Sequence, residues 1–189
     1  MCRVSFFMVG MMEKKDAVEV IIKCARLYKD NLAGKILLLV CKDKNGNEES
    51  VELHFDGSNF LHLTGCRAKD GLTAKSFYRK CLSKKLSIND FEMAEDGTTV
   101  LKLKVLPALM EKGLSAKMIG DYDGRQPRLY TDKLAGNIRG CMGFKEVIPG
   151  KYVPNTVLNV DIRKQAINVK KVTGIYIRNK GETEFKRIL

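Results

Sequence analysis

The stretch NFLHLTGC, Asn59 to Cys66, holds one of the chain's two histidines. Histidine is the side chain whose unperturbed pKa lets it take or give a proton near neutral pH. His62 lies between Leu61 and Leu63 and precedes Thr64 and Gly65. Two readings compete there: a histidine hydrogen-bonded in a core, or the acid or base of a site. A second stretch, NIRGCMGF, sets Arg139 among Gly136, Gly140 and Gly143. Glycines at that density permit close backbone approach, by a ligand or by another strand. Asn155 and Thr156 in VPNT, Lys117, and the tyrosines at 122, 130 and 152 add polar, cationic and aromatic groups. Such parts suit a metal-free reaction on a phosphodiester. That reaction needs a proton-transfer group, cations to meet charge developing on the phosphate, and rings on which a base can stack. RNA carries its own nucleophile, the 2′-hydroxyl, so no metal-bound water is required.

Other chemistries lack their motifs. No Gly-x-x-x-x-Gly-Lys-Ser/Thr phosphate loop, no Gly-x-Gly-x-x-Gly after a strand and no Gly-x-Ser-x-Gly elbow occurs. The best acidic cluster, GDYDG at 120–124, offers two carboxylates in what reads as a turn. The six cysteines, at 2, 24, 41, 66, 81 and 141, have no zinc-type spacing. Cys24, Cys41 and Cys81 read as buried thiols, which suits a reducing cytoplasm better than a disulfide framework. No metal or cofactor is expected.

The chain carries 34 Lys+Arg against 22 Asp+Glu, a net charge of +12. A surplus of that size attracts polyanions or serves as a solubilising surface. Residues 1–12, apolar but too short to span a membrane, read as an extension that frays or follows from a start codon placed too early. Residues 13–189 read as one domain.

Spacing places the elements. Val18, Ile21, Ile22, Ala25 and Tyr28 form a helical stripe over 16–31, with Asp16 as cap. KILLLVCK and SVELHF flank Asn45-Gly46, a hairpin signal, with His54 turned outward. Residues 72–86 read as a helix capped by Thr73, and LSINDFE as a short second helix opened by Ser87. In TTVLKLKVLPALMEKG, Leu101, Leu103 and Val105 alternate as in a strand, while Leu101, Val105, Leu109 and the pair Leu106/Met110 fit a helix equally well; Pro107 and the length favour a helix ending before Gly113. From Ser115 onward, short β-prone pieces between turn residues predict an antiparallel sheet. The fold class expected is α+β, with N-terminal helices and a β-hairpin packed on a C-terminal antiparallel sheet.

NFLHLTGC, SFYRKCL, DGTTVLKLKVLPALM, AKMIGDYDG, LYTDKLAGNIRGCMGF and YVPNT resemble the phage-type Barnase–EndoU–Colicin–RelE-like nuclease domains of phages, prophages and mobile elements. The similarity runs from about Glu13 to the C-terminus. It implies helices packed on a small antiparallel sheet, and RNA cleavage without metal by 2′-hydroxyl attack, leaving a cyclic phosphate. It also implies a site containing His62, Thr64, Arg139, Asn155 and Thr156. In that scheme His62 is the general base or acid, and Arg139 with Lys117 stabilises the transition state. Thr64 and Thr156 orient the phosphate, and Tyr130 and Asn155 hold the substrate. The chain departs from the pattern in lacking a second histidine in its C-terminal half. The competing reading is a binding protein with a nuclease-like cleft, which captures a nucleotide or signalling molecule or blocks a host defence protein. The partners expected are RNA or a nucleotide, with no membrane role.

Overall fold

Glu13 opens the first helix, where Asp16 Oδ2 accepts a hydrogen bond from the Glu13 amide at 3.3 Å. A carboxylate in the first turn satisfies an amide that has no intrahelical partner. Helix α1, Lys14–Asn31, buries Ala17, Ile21, Cys24, Ala25 and Tyr28 on one stripe. It starts two residues before the sequence expectation. These features come from a computed structural model that describes residues 12–69, 71–124 and 129–189. The expected N-terminal extension thus lies, apart from Met12, outside the described residues.

The hairpin forms as expected. Strand β1, Lys35–Lys42, pairs antiparallel with β2, Glu48–His54, and Gly46 takes the left-handed conformation in the turn. Helix α2, Phe60–Thr64, follows, then β3, Arg67–Ala68, and α3, Ala74–Leu82. Thr73 Oγ1 caps α3 by accepting from the Ser76 amide at 3.2 Å. The short helix expected in LSINDFE is instead a turn leading into β4, Phe91–Glu92. The Asp90 carboxylate accepts from the Ser87 amide at 2.7 Å, which closes the turn, and Phe91 is buried as β4 pairs with β3.

Helix α4, Thr98–Leu109, is present despite Pro107, which sits in the last turn. Its buried face is Thr99, Leu103, Leu106 and Leu109, whereas Leu101 is 41% exposed. Of the expected positions Leu106, Leu109 and Met110 are buried and Val105 is half-buried, and Leu103 takes the place in the core that Leu101 does not.

The remaining strands are β5, Met118–Tyr122; β6, Lys133–Gly136; β7, Cys141–Ile148; β8, Lys151–Leu158; β9, Ala166–Asn179; and β10, Lys186–Arg187. With β1 and β2 they form one eight-stranded mixed sheet in an α+β fold. The hairpin does not lie on the sheet but supplies two of its strands. β1 pairs with both β2 and β9, so the ladder β1-β2-β8-β7-β6-β5-β9 returns on itself. The seam is a short parallel pairing, Glu52 with Lys151 and Leu53 with Tyr152, and the other ladders are antiparallel. Helix α1 packs on α3 and α4, while α2 and α4 pack on β8. Tyr28, Phe55, Phe60 and Phe144 are fully buried in the main core between helices and strands.

Candidate functional site

Helix α2 is only five residues long, and its packing decides where His62 points. Phe60 and Leu63, three apart, are fully buried, and the Phe60 ring lies 5.4 Å from Tyr28 and 5.3 Å from Tyr78. That face is anchored, so His62 between them is exposed. Of the two readings of this histidine, the buried core one does not hold.

Thr64 is fully buried. Its hydroxyl donates to the Leu61 carbonyl at 2.7 Å and accepts from the Cys66 amide at 3.1 Å. Both bonds close the end of α2, and Gly65 completes it in the left-handed conformation at φ 72°. A Cβ on Gly65 would stand 2.8 Å from Lys102 Cδ. The absence of a side chain there lets α4 press its Lys102 stem against the end of α2. Thr99 secures the same junction by donating to the Gly65 carbonyl at 2.7 Å and accepting from the Ala94 amide at 2.9 Å.

The result is a cleft of about 760 Å³. His62, Arg67 and Lys102 bring nitrogen groups to it, Asn155 enters from β8, and Glu92, Glu95 and Asp96 line the opposite loop. Lys102 Nζ donates to the His62 carbonyl at 3.4 Å. Burial holds the Lys102 ammonium below its ordinary value of 10.5, and burial pushes the neighbouring Cys66 thiol up to about 11. Two of the three acids are engaged. Glu92 pairs with Lys69 at 3.0 Å, and Asp96 accepts from the Thr98 amide at 2.9 Å. Glu95 is exposed and has no hydrogen-bond or ion-pair partner among the described residues.

Asn155 is held from both sides. Its Oδ1 accepts from Thr131 Oγ1 at 3.0 Å and its Nδ2 donates to the Tyr130 carbonyl. Tyr130 itself is 84% exposed, with Lys145 Nζ 4.8 Å above its ring centre. Thr156 is nearly buried and lines a second, adjoining cavity. His62 and Asn155, 93 positions apart, thus share one cleft, with Tyr130 bonded to the second.

Arg139 and Lys117 do not line that cleft. Arg139 is exposed in the turn between β6 and β7, where its amide donates to Asn137 Oδ1 at 2.8 Å. Of the two uses open to the surrounding glycines, Gly136 and Gly143 serve the close approach of neighbouring strands. A Cβ on Gly136 would meet the Gly140 carbonyl at 2.4 Å, and one on Gly143 would meet Thr156 Cγ2 at 2.6 Å. Lys117 is exposed near the same turn, its amide donating to the Gly136 carbonyl at 2.8 Å.

The family described as phage-Barnase-EndoU-ColicinE5/D-RelE like nuclease4 (PBECR4) matches residues 20–188. The chain belongs to this nuclease family. No curated protein and no solved structure matches it. For a nuclease of this family the reaction class is cleavage of nucleic acid, and the cleft must be judged on that chemistry. Among the described residues no group of three or more His, Cys, Asp or Glu is placed to hold a metal ion. No described helix is long and apolar enough to cross a membrane.

Lys102 and Glu95 were missed in the sequence. Lys102 had a signal: it stands three after Thr99 and four before Leu106, inside the stripe that α4 buries. A lysine on a core stripe is unusual enough to ask what it serves. Glu95, in a polar loop, had none.

Proposed function

We propose that this nuclease cleaves RNA without a metal, by attack of a 2′-hydroxyl on the adjacent phosphorus. The P–O5′ bond breaks, leaving a 2′,3′-cyclic phosphate and a 5′-hydroxyl. One group must take the 2′-hydroxyl proton and another must give a proton to the leaving O5′. In this reading His62 and Glu95 share those two steps, which supplies the proton-transfer partner that a second histidine would otherwise provide. Lys102 meets the charge that grows on the non-bridging oxygens. Its buried stem keeps it in place, so little reorganisation is needed as that charge develops.

Asn155 keeps one amide N–H beyond its bond to Tyr130 and can offer it to the phosphate. Tyr130, exposed beneath Lys145, is a stacking platform for a neighbouring base. Thr156 lines the adjoining cavity, and Thr64 acts only by holding the end of α2. Arg139 and Lys117, away from the reacting phosphate, hold flanking phosphates of the strand.

The observation that carries this reading is the convergence of His62, Glu95, Lys102 and Asn155 on one cleft in a member of a nuclease family. The test is incubation of the purified protein with end-labelled RNAs in EDTA, with product ends mapped. Cyclic-phosphate ends from wild type and their loss in His62→Ala are expected. Absence of cleavage over a wide RNA panel, or a His62→Ala variant as active as wild type, would overturn it. Nucleotide retained by a protein that does not cleave would favour the binding-protein reading instead.

A further inference from the structure

We infer that the cavity adjoining the His62 cleft across Lys102 is a subsite for one nucleobase of the substrate, an inference that rests on the nuclease reading. The cavity holds about 350 Å³ and is lined in part by Leu101, Leu129 and Val160, with Thr156 and Gln165 among its polar members. Lys102 lines both this cavity and the cleft. The two are also joined through β8, where Asn155 lines the cleft and the next residue, Thr156, lines the cavity.

The pair has the polarity of a nucleotide. A phosphate belongs with the charged groups of the cleft, and a flat ring with polar edges belongs between apolar walls. Gln165 adds a specific demand. Its Oε1 is sealed from solvent and has no hydrogen-bond partner. An unmet buried acceptor is costly, and a rotation of the Gln165 side chain toward the cavity it lines would let a ring N–H or exocyclic amine meet it. A free phosphate would use Lys102 and leave the walls and Gln165 unused. An aliphatic side chain would use the walls and leave Gln165 unmet. A base uses all three. Leu101 is explained at the same time: it is a large apolar residue left 41% exposed on α4, beside the space a ring would fill.

The test is calorimetric titration of the intact protein with the 3′- and 5′-monophosphates of the four ribonucleosides. Ribose 5-phosphate and inorganic phosphate serve as base-free controls. At least one nucleotide should bind about tenfold or more tightly than ribose 5-phosphate, the effect of one well-met hydrogen bond plus apolar burial. His62→Ala should keep that gain, because the base lies away from the proton-transfer group. Gln165→Leu and Leu101→Asn should each reduce the gain while leaving phosphate binding unchanged. Both variants are expected to fold, since one replaces an unmet acceptor by an apolar group and the other alters a partly exposed position. A base that adds nothing to affinity, or both variants keeping the full gain, overturns the subsite. A protein that cleaves RNA yet shows no gain from the base loses the subsite alone. One that neither cleaves RNA nor binds phosphate loses the nuclease reading, and the subsite with it.

Discussion

Two polar regions of this nuclease are built in opposite ways. On the sheet, charges are matched between strands: Asp121 with Lys133 at 2.7 Å and Asp132 with Lys145 at 3.0 Å between adjacent segments, and Glu49 of β2 with Lys170 of β9 at 2.5 Å across the intervening β1. In the cleft, His62 and Glu95 are exposed, and among the described residues Glu95 has no hydrogen-bond or ion-pair partner and the Lys102 ammonium meets only the His62 carbonyl. Matched charges are committed to each other, so they can hold strands in register but have little left for a substrate. Unmatched groups kept in place by a packed scaffold are the arrangement that chemistry on a phosphate requires. The GDYDG cluster illustrates the point. It is the best acidic cluster in the sequence, yet Asp121 is spent on Lys133 and on Asn168 at 3.0 Å.

The contrast can be broken by substitution. The largest effect is expected at His62. His62→Ala should lower RNA cleavage by roughly 10²–10⁴-fold with an unchanged melting temperature, because the ring is exposed. Equal cleavage by both proteins would remove His62 from proton transfer. Lys102→Met should cost roughly 10²–10³-fold in kcat. Its melting temperature should stay level or rise, since a desolvated ammonium is replaced by an apolar chain of similar length. A fall in stability with kcat intact would make Lys102 a structural residue. Thr64→Val tests the scaffold beneath them. It leaves the Leu61 carbonyl and Cys66 amide without their bonds and should cost about 1–3 kcal/mol in denaturant unfolding. A stability equal to wild type would show that the end of α2 does not depend on that hydroxyl.

The smallest effects belong to the matched charges. Lys133→Met should leave cleavage unchanged and cost no more than about 1 kcal/mol, as expected of a partly exposed pair. A marked loss of cleavage would draw that pair into the site. Their signature is in pH instead. Burial alone would raise the Asp121 carboxyl, but its bonds from Lys133 and Asn168 outweigh burial and hold it below 3.8. Burial would likewise raise Asp132, and the Glu146 amide and Lys145 hold it down. As pH falls, the unfolded chain therefore takes up protons first. The contribution of these groups is complete above about pH 5 and is lost as pH falls through the depressed folded values. Thermal unfolding followed from pH 6 to pH 2 should show that decline in wild type and a shallower one in Asp121→Asn.

What the sequence could tell followed from how local each feature is. Helix α1, the Asn45-Gly46 hairpin and the Thr73 cap are decided within a few residues; the hairpin and the cap form where expected, and α1 keeps Ile21, Ala25 and Tyr28 of its expected stripe while burying Ala17 and Cys24 more deeply than Val18 and Ile22. LSINDFE deceived because the Asp90 turn and the burial of Phe91 against β3 prevail over its weak helical pattern. The ring of strands could not be read, since its seam joins Glu52 to Lys151 with no local mark at either end. His62 and Asn155 stood out by residue type, but only that ring brings them together. Arg139 stood out for its glycines, which turned out to accommodate neighbouring backbone and side chains. Lys102 was legible only to a reader who had already placed the buried face of α4.

The seam has a consequence for timing. His62 follows β2 directly, and Asn155 belongs to β8, which pairs with β2 by only two residue pairs. Pairings between such distant segments form late because a long loop must close before any contact rewards it. During synthesis α2 can emerge and begin to fold while its counterpart strand is still inside the ribosome. A nascent chain therefore carries His62 and the cleft's other wall, Gly65 to Lys102, before Asn155 arrives on β8 to complete the lining.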